Sequence, residues 1–337
     1  MPPPGGFLPL PLPLPLRSRP ADPRRRGRLV ALASTLLLAA LLLAYLSFPK
    51  SSRAGGRPRA AAASESEGRC AGLPGVELWG PALNSGADQR TPSAAACCAA
   101  CRATCGDDGD CRCNSWVFCG DRRRCGNRFG ECWLKRQKDV LYPSVIARGE
   151  DVMWTSGLVF GTSQGILGLE TNLGTLRIQL LPDCAPRSVD YFIELLGLHN
   201  CAGCRFYRAE GRGQLWDAGG NHIENAASGP PYALLQGTLE VDGVAFKEIP
   251  REGCSAVRRG SVAWIGSGPE FLISLANHEE WSDAYTVFGS VVPEDMAVAE
   301  EMAMLPTSTD VWSDVTVRLL RDPVYFKVKR RSNASAV

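Results

Sequence analysis

The chain has 337 residues, 45% of them hydrophobic and 21% charged, with 37 basic side chains against 35 acidic ones for a net charge of +2. That length exceeds one average domain, and that apolar fraction excludes a chain disordered throughout. The near-neutral balance leaves no basic footprint for a nucleic-acid partner.

Residues 1–28 open with alternating proline and leucine and end in Arg24, Arg25, Arg26 and Arg28. Proline at nearly every second position blocks helix and removes donors, so a disordered cytoplasmic tail is expected. Residues 29–48 carry no charge and are rich in Leu and Ala. As a helix they span about 30 Å, enough for a bilayer core, and they exceed the apolar stretch of a cleavable signal. The arginines before the span outnumber the basic residues just after it. An uncleaved signal anchor is therefore expected, with the N-terminus cytoplasmic and the bulk of the chain in the lumen of the ER or Golgi. An Arg-rich, acid-poor start also fits an organelle transit peptide. Residues 49–69 read as a flexible stalk.

Ten of the fourteen cysteines lie between Cys70 and Cys132: Cys70, Cys97, Cys98, Cys101, Cys105, Cys111, Cys113, Cys119, Cys125 and Cys132. In an oxidising lumen this density reads as a disulfide scaffold, and in a reducing compartment as a metal site. No histidine lies in the stretch, and the Cys-x-x-Cys pairs are not repeated at zinc-ribbon spacing, so disulfides are expected and no metal. Thr91-Pro92-Ser93 before an alanine run predicts a helix start, with Pro92 in the first turn. Asn114–Cys119 and Gly130–Lys135 read as strands. The residues ThrProSer…CysCysAlaAlaCys, AsnSerTrpValPheCys and GlyGluCysTrpLeuLys resemble a PAN/apple domain over residues 70–138. That resemblance implies a helix stapled to a small sheet, and a protein or carbohydrate ligand. Residues 139–160 are expected to be a linker.

From residue 161 to 329 the pattern changes. Leu176, Ile178 and Leu180 alternate with Thr175, Arg177 and Gln179, which predicts the second strand of a hairpin. Val189, Phe192, Ile193 and Leu196 form one helical face, with Ser188 as a candidate cap and Asp190 in the first turn. A second helix is expected over Pro293–Leu305, and Val315, Val317 and Leu319 alternate in a late strand. Many strands with two helices predict a closed, capped β-barrel. Residues 330–337 form a tail containing the glycosylation sequon Asn333-Ala334-Ser335.

Five ordered blocks in this region resemble cyclophilin-type peptidyl-prolyl isomerases. They are Gly174–Asp183 with Ala185–Phe192, Phe206-Tyr207-Arg208, Gly260–Ile265, Glu270–Ile273, and Tyr285–Gly289; Gly219-Gly220 resembles the family's glycine pair. The expected fold class is mainly β: a cyclophilin-like closed barrel with two capping helices, preceded by a disulfide-rich α+β module and one transmembrane helix. The resemblance implies isomerisation of X-Pro bonds in proline-containing segments of client proteins, assisting folding or conformational switching, with no cofactor. Such a reaction needs an apolar seat for the proline ring and a donor for the prolyl nitrogen, which gains a lone pair as amide resonance is broken. Arg208 takes the catalytic role by resemblance. Phe206, Trp216, Glu270, Phe271, Leu272, Trp281 and Tyr285 form the implied substrate site.

The sequence departs from the family at several places. Ala218 stands where a glutamine precedes the glycine pair, unless Gln214 compensates, and about two extra residues appear before that pair. Glu270 replaces a second glutamine, Leu272 a phenylalanine and Tyr285 a histidine, and the loop Gly266–Gly268 is short. These changes leave a second reading open: a weak or inactive proline-peptide binder or adaptor. Cys201-Ala-Gly-Cys204 reads as a loop disulfide rather than a thiol-exchange site, because no thioredoxin-like βαβ pattern surrounds it.

Overall fold

The computed structural model describes residues 70–106, 109–197, 201–227, 229–241, 245–254 and 256–331. The expected tail, anchor and stalk (1–69) and the sequon at Asn333 lie outside the described residues. Among the described residues no helix is long and apolar enough to cross a membrane.

The cysteine-rich module is built from β1 (Leu73–Pro74), β2 (Val76–Leu78), α1 (Ala94–Arg102), β3 (Ser115–Phe118), α2 (Arg122–Cys125), β4 (Cys132–Lys135), β5 (Val145–Arg148) and β6 (Thr155–Leu158). Strands order as β1-β6-β3-β4, with β2 and β5 paired separately. Ser93 caps α1 by accepting from Ala96 N, so Pro92 stands before the cap rather than in the first turn as expected. The cap leaves Cys97, Cys98 and Cys101 on the buried side of α1. These sulfurs are joined to Cys132, Cys70 and Cys113, while Cys105–Cys111 and Cys119–Cys125 close short loops. All ten expected disulfide cysteines are therefore paired, and the sulfurs of Cys98, Cys101, Cys111 and Cys113 are taken up in these bonds. Residues 139–160 are not a bare linker: β6 hydrogen-bonds along β3 from Ser115↔Leu158 to Phe118↔Thr155. The fit is close. A Cβ on Gly157 would stand 2.4 Å from the Trp116 ring, so only glycine lets that buried indole lie against β6.

The second region comprises β7 (Ile166–Glu170), β8 (Thr175–Leu180), α3 (Pro186–Gly197), β9 (Arg205–Glu210), β10 (Leu234–Thr238), β11 (Ser261–Trp264), β12 (Glu270–Ser274), β13 (Thr286–Val291), α4 (Met296–Met302), β14 (Thr307–Trp312), β15 (Val315–Tyr325) and β16 (Lys327–Arg330). The ladder runs β14-β15-β9-β10-β12-β11-β13-β8-β7-β16. The expected closed barrel does not form as an unbroken hydrogen-bonded ring. The last strand is interrupted at the buried Phe326, so its first part pairs β9 and its second part pairs β7. The two sides of the sheet are thus joined through the covalent chain at that residue.

Period-two reading holds on β8, where Leu176, Ile178 and Leu180 are buried and their neighbours half-buried. Trp264 packs on Phe288 and Phe192 with ring centroids 4.4 and 5.8 Å away, anchoring α3 to the sheet. Ser188 is not the cap of α3, which begins two residues earlier at Pro186. Glu252 replaces it: its carboxylate accepts from the backbone N–H groups of Arg187 and Ser188 and from the Ser188 hydroxyl. Negative charge is favourable at the orphan donors of a helix start. Burial still pushes the Glu252 carboxyl above its usual range, against the lowering effect of those hydrogen bonds. The expected long second helix divides into a short 3-10 turn, Pro293–Asp295, and α4.

Candidate active site

A single extra residue on β9 creates the site. Phe206 stands opposite Gly237 and Arg208 opposite the adjacent Gln236, so Tyr207 has no partner on β10. On the other side Phe206 pairs with Val324 and Arg208 with Leu319, and Tyr207 is again passed over. Side chains two apart on a regular strand share a face, and a bulge breaks that rule. Phe206 points into the core against Phe271 and Phe326, while Arg208 emerges on the outer face. Gly237 makes the inward turn feasible: a Cβ there would lie 2.7 Å from Arg205 O and 3.0 Å from the Phe206 ring.

Arg208 is held from several directions. Its Nε donates to Glu210 Oε1 at 2.9 Å and its Nη1 to Gln236 Oε1 at 3.0 Å. Glu210 is 0% exposed, and its carboxylate also accepts from Tyr232 N at 2.8 Å and Arg318 N at 3.3 Å. Gln236 Nε2 donates to the Tyr207 hydroxyl at 2.6 Å, and that hydroxyl donates to Glu270. Burial pushes the Tyr207 phenol well above its usual value, with the Glu270 contact acting in the same sense. Over the guanidinium lie the rings of Trp312 and Tyr232, with centroids 5.5 and 5.9 Å from Cζ. The guanidinium is therefore oriented and charge-balanced, with 9% of the residue exposed.

An apolar seat borders it. Leu272 stands opposite Gln236 on β12 and packs in a small outer cluster with Val257, Ala263 and Val287, flanked by Trp281 and Tyr285. Trp281 lies 5.0 Å from the Tyr285 ring and 6.3 Å from Tyr232. Burial raises the Tyr285 phenol above its usual value, with the Arg208 charge opposing. Behind Trp281, His278 stacks face to face at 3.6 Å, and Trp216 meets that imidazole edge-on at 4.8 Å. Burial lowers the His278 imidazole below its ordinary value, although Glu280, 2.7 Å away, pulls the other way.

The structure brings Arg208, Glu270, Leu272, Trp281 and Tyr285 to one face. It places Phe206 and Phe271 elsewhere: their rings pack with Phe326 in the main core, away from the cluster that holds Leu272, and they are not substrate contacts. Trp216 packs edge-on against His278, which stacks on Trp281, and its Nε1 donates to Pro231 O. Glu270 accepts from the Tyr207 hydroxyl, and it is Glu210 that takes the guanidinium. Gly219-Gly220 sits in a turn closed by Asp217 and Asn221, within the connection that precedes β10 and not on that strand. The glutamine and glycine beside Arg208 are Gln236 and Gly237, so neither Ala218 nor Gln214 holds that place. Sequence reading missed Glu210, Gln236, Tyr232 and Trp312. The Gln-Gly pair was a usable signal, masked by residues 211–233, which lengthen the β9–β10 connection.

A separate cleft of about 590 Å³ lies between the cysteine-rich module and helix α3 with the loop at Lys247, lined in part by Leu73, Arg148, Asp190, Tyr191 and Lys247. Arg148 makes a two-pronged ion pair with Asp190 there, at 2.6 and 2.8 Å. Tyr191 is pushed up to about 12 by burial, with the Glu194 charge adding to it. This cleft shares no residue with the surroundings of Arg208.

Residues 166–322 match the family model described as cyclophilin type peptidyl-prolyl cis-trans isomerase/CLD. Peptidyl-prolyl cis-trans isomerase CYP18-1 of Arabidopsis thaliana is 26% identical over 129 residues, covering 37% of this chain and 74% of the relative. Peptidyl-prolyl cis-trans isomerase-like 3 of Gallus gallus is 24% identical over 145 residues, covering 42% and 83%. A crystal structure of a cyclophilin type peptidyl-prolyl cis-trans isomerase from Cryptosporidium parvum covers 50% of this chain and 98% of its own, at 14% identity and a TM-score of 0.37.

Proposed function

We propose that the chain isomerises X-Pro bonds at the face bearing Arg208, with Trp281 and Tyr285, backed by Leu272, seating the proline ring; the match of residues 166–322 to the cyclophilin type peptidyl-prolyl cis-trans isomerase model supports this reading. The observation that carries this reading is the bulge at Tyr207, which sets a fixed guanidinium beside an apolar cluster. Rotation about the amide crosses a barrier of about 20 kcal/mol, and the prolyl nitrogen becomes an acceptor only when resonance is lost. A guanidinium aimed at it binds the twisted state better than either planar one. Glu210 and Gln236 hold Arg208 so that little reorganisation accompanies that contact.

The setting we propose is the lumen of the secretory pathway, with residues 29–48 as a membrane anchor and a cytoplasmic N-terminus. Support comes from the apolar run in the sequence and from seven disulfides among the described residues, a load that suits an oxidising compartment. In this reading the cysteine-rich module is a PAN/apple-like recruiter of protein or carbohydrate ligands, and the isomerase domain acts on what it gathers.

A second reading, a proline-peptide binder without turnover, is favoured by one observation: the guanidinium is already engaged by Glu210 and overlain by Trp312 and Tyr232. Protease-coupled isomerisation of a proline peptide separates the two. The enzyme reading expects acceleration by the native chain and at least a tenfold drop in Arg208→Ala. Native and variant rates both at the uncatalysed level would leave only the binder.

A further inference from the structure

Resting on the assignment of the Arg208 face as a peptide site, we infer that this site selects prolines flanked by a basic residue, with Glu270 and Asp310 as the specificity-determining carboxylates. The argument starts from charge. Arg208 is already balanced by the buried Glu210, so it offers little net attraction to an acidic ligand. Glu270 and Asp310 are additional, and neither forms an ion pair among the described residues.

Register puts both on the right face. Glu270 lies two residues before Leu272 on β12, on the side of the sheet that carries Gln236 and Arg208. On the terminal hairpin, Ser308 stands opposite Leu319, Asp310 opposite Val317 and Trp312 opposite Val315. Leu319 is itself the cross-strand partner of Arg208, so Asp310 and Trp312 share the Arg208 face. Arg318, the nearest cation along β15, pairs with Thr309 and projects from the other side. Arg205 is turned away to Gly203 O.

Between the carboxylates lie two aromatic rings. Tyr207 donates to Glu270, Trp312 Nε1 donates to Asp310 Oδ2 at 3.0 Å, and the two ring centroids are 6.5 Å apart. Each carboxylate is thus fixed at the edge of a ring, and the half-buried Trp312 ring that Asp310 holds already lies over the Arg208 cation. A lysine or arginine stem covers aromatic surface well, and its charge is drawn both to the π face and to a nearby carboxylate. An acidic residue in the same place meets two like charges, which acts as a rejection as effective as any attraction. Glu270 stands where the resemblance implies a neutral glutamine, so the negative charge is this chain's own feature.

The test uses the full-length chain and three peptides that differ only in the residue flanking proline: lysine, alanine or glutamate. Binding is read by fluorescence anisotropy of labelled peptides, and turnover by the coupled isomerisation assay. Lysine is expected to be favoured over glutamate by roughly fivefold or more, the worth of one or two part-exposed charge contacts. The ratio should narrow at high salt. Glu270→Gln and Asp310→Asn should each reduce the ratio, and the double variant should bring it close to one. Because Asp310 sits on an exposed hairpin, its variant keeps the test alive if the Glu270 variant is misfolded. Equal handling of lysine and glutamate peptides by the native chain overturns the inference while leaving the isomerase reading intact. Preference for lysine that survives the double variant overturns it as well. Preferential binding of the lysine peptide without acceleration of any peptide supports the inference and removes the isomerase reading instead.

Discussion

The two regions of this molecule reach stability by opposite means. Residues 70–160 have short strands, a nine-residue helix and small apolar clusters, and rely on five disulfides. Residues 166–330 bury one continuous core in which Trp264, Phe192 and Phe288 touch ring to ring, as do Phe206, Phe271 and Phe326. A small domain cannot remove enough apolar surface from water to offset chain entropy, so cross-links supply the difference. The larger region has surface to spare, and it uses that margin to hold a buried charge pair at its site.

The comparison can be broken most forcefully at Cys97–Cys132. Replacing both by serine removes a cross-link of sequence separation 35, worth about 4 kcal/mol by loop entropy. The expected outcome is loss of hydrogen-exchange protection in α1 and β4 with the sheet around Trp264 unchanged; equal loss in both regions would show that they do not differ as argued. Next is Glu210→Ala. It strands Arg208 without its carboxylate and should destabilise the second region by roughly 3 kcal/mol in urea unfolding, with a fall in isomerisation. Gly237→Ala drives a methyl against Arg205 O and the Phe206 ring and should cost about 2 kcal/mol by the same measurement. Serine at Cys201 and Cys204 opens a separation of only 3 and should cost about 1.5 kcal/mol, much less than the module's disulfide. The smallest effect is one of pH. His278 has its folded value lowered below the ordinary 6.5, so the unfolded chain binds more protons in that interval. The contribution is fully present above pH 6.5 and is lost as pH falls toward the folded value. Thermal unfolding between pH 7.5 and 5 should show this, and His278→Phe should flatten it.

Much of the fold is legible where a local rule decides. Leu176, Ile178 and Leu180 face a core on one side only, so their alternation survives in the sequence. Ser93 caps because its oxygen reaches Ala96 N, a purely local act. The bulge is not legible: nothing in Phe-Tyr-Arg says that Tyr207 will be skipped by two neighbouring strands, because the decision lies in Gly237 and Val324. The hairpin of β14 and β15 hides for another reason. Thr307–Trp312 is mostly exposed and has no apolar period, yet it delivers Trp312 to the site. Arg208 is readable as a motif, but Glu210, two residues on, reads as a surface acid until its three partners are seen. Residues 139–160 pass for a linker because β6 is short and contains Ser and Gly, and only pairing with β3 and the fit of Trp116 give it a place.

The interruption at Phe326 has a consequence for how the chain comes off the ribosome. The open flank of β7 and the open flank of β9 are both covered by one stretch, residues 315–330, made last among the described strands. At about 5–20 residues per second, β7 waits roughly ten to thirty seconds after its own synthesis for that cover. During that interval the cysteine-rich module is already complete and can oxidise, while two strand edges stand exposed to pairing with other nascent chains. A stop codon before residue 315 would make that exposure permanent, so a truncation that removes this stretch should aggregate although it leaves Arg208, Leu272 and Tyr285 in place.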